Sequence, residues 1–263
     1  MSFPRKTGSP NPMSIKANDV DLFHSGNPII VSLFDRLWVR LDAGKLDEND
    51  RKAKRTTYLS ASNIALMQLL EQIDILFDTY ANEMTNLIEA SGIEELCSDL
   101  KVGADDVRML MLAWKMKAKK QGFITQDEWR RGLKALEANS LEKLQRALPK
   151  LEREVMRPSN FKDFYAFAFR YSLTEERQKT LDIGSICLLM KIVLGSQFRP
   201  QVDSFTQYLQ MQKEYKVLTF DQWMGFYQFC NEISFPDLNN YDDQLAWPLV
   251  LDSFVEWIRQ KNN

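Results

Sequence analysis

Apolar residues recur at intervals of three and four along most of the chain, the spacing of one helix face. Over Ile29 to Leu41, the residues Ile30, Leu33, Phe34, Leu37, Trp38 and Leu41 share such a face and predict a short amphipathic helix. A charged linker is expected from Asp42 to Arg55. From Ser60 onward the pattern is nearly continuous. Ser60 or Ser62 is placed to cap a helix whose buried stripe is Leu66, Leu69, Leu70, Ile73, Ile75, Leu76 and Tyr80, with Gly92 as the first stop. Segments 93–100, 104–120, 126–138, 140–155, 160–172, 182–194, 202–212, 219–231 and 246–260 read as further helices separated by Gly, Pro or polar turns. No alternating run is long enough to predict a strand. The expected fold class is all-α, laid out as a tail over 1–27, the short amphipathic helix and charged linker over 28–58, and a helical domain over 59–263.

Composition narrows the chemistry. With 34 Lys+Arg against 36 Asp+Glu the net charge is −2, which excludes the basic balance of a nucleic-acid binder, and 44% apolar residues supply a sizeable core. The Ser-, Asn-, Pro- and Gly-rich start cannot bury enough surface to offset chain entropy. It carries charge and proline where a secretory signal would be apolar, and no stretch is long enough to span a membrane. Cys97, Cys187 and Cys230 are odd in number and far apart, so no disulfide framework or Cys-rich metal site is expected. The single His24 lies in the tail, which leaves Ser-His or Cys-His catalysis without a rigid support. The run Arg51 to Arg55 reads either as a nuclear import signal or as a solvated face.

Two local patterns are more specific. Gly122, Phe123, Ile124 and Glu128 have the spacing of a calcium-type helix-loop-helix, and the segment around Gly92 reads as a more degenerate copy. Lys117, Lys119 and Gln121 stand where oxygen ligands are required, so a bent helix pair without metal is expected. Between Lys216 and Arg259 there is no basic residue, while Asp221, Glu232, Asp237, Asp242, Asp243, Asp252 and Glu256 all occur there. That window would steer a basic protein surface, or simply solvate helix faces. Thr219 and Gln222 have capping-box spacing, which puts Asp221 in a first turn. Asp252 and Glu256 lie four apart on a polar stripe, with nothing apolar there to raise a carboxyl pKa for acid-base work.

Ala246-Trp247-Pro248 followed by Asp252 and Phe254-Val255-Glu256, preceded by Tyr241-Asp242, resembles the C-terminal signature of the defective-in-cullin-neddylation family. Leu112-Ala113-Trp114-Lys115, Ser140 to Leu144, Phe161 to Tyr165, Leu181-Asp182 and Trp223 match in the same order, so the likeness spans about residues 66–259, the potentiating-neddylation domain. The spacing and N-terminus set the chain apart as a divergent branch. The resemblance implies an all-helical scaffold-type ligase component without catalytic residues or cofactors. Such a scaffold holds the C-terminal winged-helix region of a cullin and the acetylated N-terminal Met of a conjugating enzyme. It meets the cullin's RING subunit only indirectly and needs neither nucleic acid nor membrane.

By the same resemblance Asp221, Ala246 and Asp252 form the cullin-binding patch, with one additional residue between Asp221 and Ala246. Met109, Leu112, Ala113, Gln121, Ile124, Tyr171, Leu189 and Ile192 line the acetyl-Met pocket, where Met109 is larger than the family's usual residue. A Met and Leu stripe at this spacing is equally what a plain core looks like. A monomer in the nucleus or cytoplasm is expected. Residues 1–58 are too short and too charged for the ubiquitin-associated domain that some members carry. Two rivals stay open: a cullin-binding adaptor that no longer engages a conjugating enzyme, and a hydrolase using one of the three cysteines.

Overall fold

The computed structural model describes the backbone of residues 48–262, Ala104 excepted, and side chains over 63–261. The chain divides into two compact units, Met1–Leu69 and Leu70–Asn263. The expected tail and the amphipathic helix at 29–41 lie outside the described residues. In the first unit the described part is helical from Glu48, so Arg51 to Arg55 lies on helix where a linker was expected and Ser60 is interior to it. This helix, α1, spans Glu48–Tyr80.

The second unit is built from helices. After α1 come α2 (Ala90–Leu100), α3 (Val107–Met116), α4 (Gln126–Ala135), α5 (Leu141–Val155), α6 (Pro158–Tyr171), α7 (Ile183–Leu194), α8 (Arg199–Met211), α9 (Phe220–Glu232) and α10 (Leu249–Asn262). The all-α expectation holds, with nearly every predicted segment matched within a few residues. Capping explains the agreement. Thr125 with Glu128 and Thr219 with Gln222 form capping boxes, Asp106, Ser140 and Asp182 accept from backbone N–H groups of the first turn, and Pro158 opens α6.

Three expectations need correction. Gly92 does not stop a helix. It lies inside α2, where a Cβ would fall 2.1 Å from the Tyr80 carbonyl oxygen, so its absence lets α2 cross the end of α1. The stop comes at Tyr80, after which the Asn82 side chain accepts from the backbone N–H of Met84 at 2.9 Å. Ile75 is 62% exposed, while Ile73, Phe77 and Tyr80 make the buried face. Short strands also exist: β1 (Leu87–Ile88) pairs antiparallel with β2 (Ile124–Thr125), and β3 (Thr180–Asp182) with β4 (Val217–Thr219). At two and three residues they are too brief to leave a period-two pattern.

Two buried tryptophans organise the core. Trp129 of α4 donates its indole N–H to the Ile73 carbonyl at 3.0 Å and meets Phe77 and Tyr80 edge-on or tilted. Arg130 beside it forms a two-pronged ion pair with Asp74 at 2.6 and 2.7 Å. Trp223 of α9 stacks on Tyr165 of α6 at 4.2 Å between ring centroids. The two exchange hydrogen bonds: the Tyr165 hydroxyl donates to the Trp223 carbonyl at 3.0 Å, and the Trp223 indole to the Tyr165 carbonyl at 2.9 Å. Around this pair α6 packs against α3, α5, α7 and α9, and α10 closes against α8 and α9 through Phe205, Phe226, Phe229 and Phe254.

Candidate functional site

Two helix starts form the first candidate surface. Thr219 caps α9, leaving Asp221 exposed in its first turn, and Asp252 occupies the first turn of α10. One turn along α9 from Asp221, a Cβ on Gly225 would sit 2.7 Å from Pro248 Cγ, so the lead-in to α10 presses directly on α9. Ala246, two residues before Pro248, is exposed, and Asp252 follows Pro248 by four. The structure thus gathers all three patch residues within a turn or so of one close contact.

The lead-in is rigid for a visible reason. Trp247 stacks on Tyr241 at 5.7 Å and meets Phe229 edge-on at 6.3 Å, and the Tyr241 hydroxyl donates to Asp252 Oδ1 at 2.5 Å. Leu245 and Leu249, 57% and 74% exposed, flank Ala246. The result is a small apolar centre with carboxylates around it. Each helix start presents a partial positive charge, which the first-turn acids offset; the further exposed acids Asp242 and Asp243 keep the locality negative. The sequence motif contains Tyr241 without assigning it a task, and nothing in the pattern singles out Leu245, Leu249 or Gly225. No spacing rule links a loop tyrosine to a carboxylate on the next helix.

The second candidate region is of another kind. Leu112 and Ala113 of α3, Ile124 of β2 and Leu189 of α7 are buried, Leu112 at 1% exposure. Met109, Tyr171 and Ile192 are half-buried and Gln121 is exposed. Helix α6 packs on both α3 and α7, the helices that carry Met109, Leu112, Ala113, Leu189 and Ile192. The Tyr171 ring stacks on Phe167 at 5.1 Å, and burial, then the charge of Glu128, push its hydroxyl up to about 12. Glu128 accepts from the backbone N–H groups of Lys119 at 3.0 Å and Thr125 at 2.9 Å, so it closes the loop as a cap, while Gly122 takes the turn at φ 81°. Among the described residues no group of His, Cys, Asp and Glu is arranged to hold a metal ion.

The motifs behind the resemblance meet one another here. The Trp114 indole donates to Asp163 at 2.8 Å and its ring meets Phe164 edge-on, while Lys115 pairs with Glu154 at 2.7 Å. They fasten α3 to α5 and α6. All three cysteines are buried, and burial pushes the Cys97, Cys187 and Cys230 thiols up, away from the reactive thiolate.

A family model described as cullin binding matches residues 143–257, a stretch that contains Asp221, Ala246 and Asp252. DCN1-like protein 5 of Bos taurus is 36% identical over 171 residues, covering 65% of this chain and 71% of that protein. DCN1-like protein 5 of Rattus norvegicus is 37% identical over 176 residues, 66% and 73% of the two chains. DCN1-like protein 4 of Homo sapiens is 37% identical over 176 residues, 67% and 59%. The chain therefore belongs to the DCN1-like family of cullin-binding proteins. At this level its role is cullin binding within neddylation.

Proposed function

We propose that the protein is a non-catalytic scaffold of cullin neddylation. It takes the C-terminal winged-helix region of a cullin on Asp221, Ala246 and Asp252 and the acetylated N-terminal Met of the conjugating enzyme among Met109, Leu112, Ala113, Gln121, Ile124, Tyr171, Leu189 and Ile192. The acceptor lysine then belongs to the cullin and the thioester to the conjugating enzyme. Acceleration comes from raised local concentration and orientation, which need no reactive group on the scaffold. The observation that carries this reading is the gathering of Asp221, Ala246 and Asp252 around the Gly225–Pro248 contact, in a 217–258 window without a basic residue. Small Ala246 lets a partner approach, the acids meet its cations, and Leu245 and Leu249 offer it apolar contact. The scaffold acts as a monomer, in the nucleus or cytoplasm.

The test is a reconstituted single-turnover transfer from charged conjugating enzyme to a cullin C-terminal fragment, with and without the protein. A rate increase that disappears in Ala246→Arg is expected. A second reading, an adaptor that binds cullin without stimulating transfer, has one observation in its favour: Leu112, Ala113, Ile124 and Leu189 are already buried, as core residues would be. Cullin binding with no rate increase would select it.

A further inference from the structure

Asp252 faces two demands at the start of α10. Its own rotamers must be held, and its charge must stay available to a partner. Among the described residues only Oδ1 accepts a hydrogen bond, from the Tyr241 hydroxyl at 2.5 Å. Tyr241 is itself fixed. It is 8% exposed, its ring lies 6.0 Å from Phe229 and is stacked 5.7 Å from Trp247, and Phe229 meets Trp247 edge-on. Three mutually packed rings therefore set where the hydroxyl points. Burial, and after it the Asp252 carboxylate, push that hydroxyl well above its ordinary range, so it keeps its proton and stays a donor.

We infer that Tyr241 is a positioning residue of the cullin-facing surface, holding Asp252 through Oδ1 so that Oδ2 meets an ammonium or guanidinium group of the partner. A carboxylate restrained beforehand has less rotamer freedom to lose on docking, so the hydroxyl raises affinity without touching the partner. This rests on the assignment of Asp252 to the docking surface. The bland alternative is that the bond only fastens the loop before α10 to that helix.

A double-mutant cycle separates the two. The parent protein, Tyr241→Phe, Asp252→Ala and the double variant are each titrated calorimetrically with a cullin C-terminal fragment, and each is melted. Tyr241→Phe keeps the ring and removes the bond; it is expected to weaken binding about three- to tenfold, the loss of one charge-assisted hydrogen bond. In the Asp252→Ala background the same change should alter affinity less than about twofold, because nothing is left to position. Equal losses in both backgrounds, or none in the parent, would overturn the inference while leaving the surface assignment intact. A Phe variant that fails to fold would overturn it too, since the hydroxyl would then serve the fold. If Asp252→Ala alone binds normally, the surface assignment itself is wrong, and the inference goes with it.

Discussion

The α9–α10 surface and the α3–α6–α7 region differ in how much of their chemistry faces solvent. At the first, two carboxylates, an exposed alanine and two exposed leucines stand on the capped start of α9 and on the braced lead-in and start of α10. At the second, four of eight residues are buried and Gln121 is exposed. A surface of the first kind receives a partner as it stands. One of the second kind, if it takes a side chain as proposed, would have to take it past half-buried Met109, Tyr171 and Ile192, so shape rather than charge would control entry.

Damage common to both regions should give the largest effect. Trp223→Ala removes a stacked ring and both exchanged hydrogen bonds with Tyr165, and unfolding in urea should show about 3 to 5 kcal/mol of lost stability. Both regions would then fail together, and a variant that kept its stability would show that the core is read wrongly. Next comes a change confined to one side. Ala246→Arg places bulk and like charge against a basic partner and should abolish measurable cullin binding, with Asp252→Ala costing roughly 1 to 3 kcal/mol. Neither should alter the affinity of an acetylated N-terminal peptide. Raising salt should shrink the Asp252 loss in part, since a half-buried charge at the surface is partly screened. The smallest effect is expected from Ile192→Ser at the edge of the second region, about 1 kcal/mol in peptide affinity with cullin binding unchanged. Should that variant weaken cullin binding instead, the two regions are not independent.

Much of this was legible in the chain, for physical reasons. Thr219 with Gln222 announced the start of α9, and Pro248 that of α10, because caps and proline act locally. Gly92 misled because a glycine is both a helix stop and a place where two backbones can touch, and only the Tyr80 carbonyl beside it decides. Ile75 misled because a second face of α1 also carries apolar residues. The two small ladders left no trace, being shorter than any pattern. At the candidate surface, residue types came from the motif. The Tyr241 bond and the Gly225–Pro248 approach join positions many residues apart and had to be seen in space.

Because the Gly225–Pro248 contact and the Tyr241–Trp247 stack beside it, and not the intervening 233–240 stretch, fix how far Asp221 lies from Ala246 and Asp252, lengthening that stretch costs little geometry. A side chain at position 225 would instead push the lead-in of α10 off α9 and break that spacing.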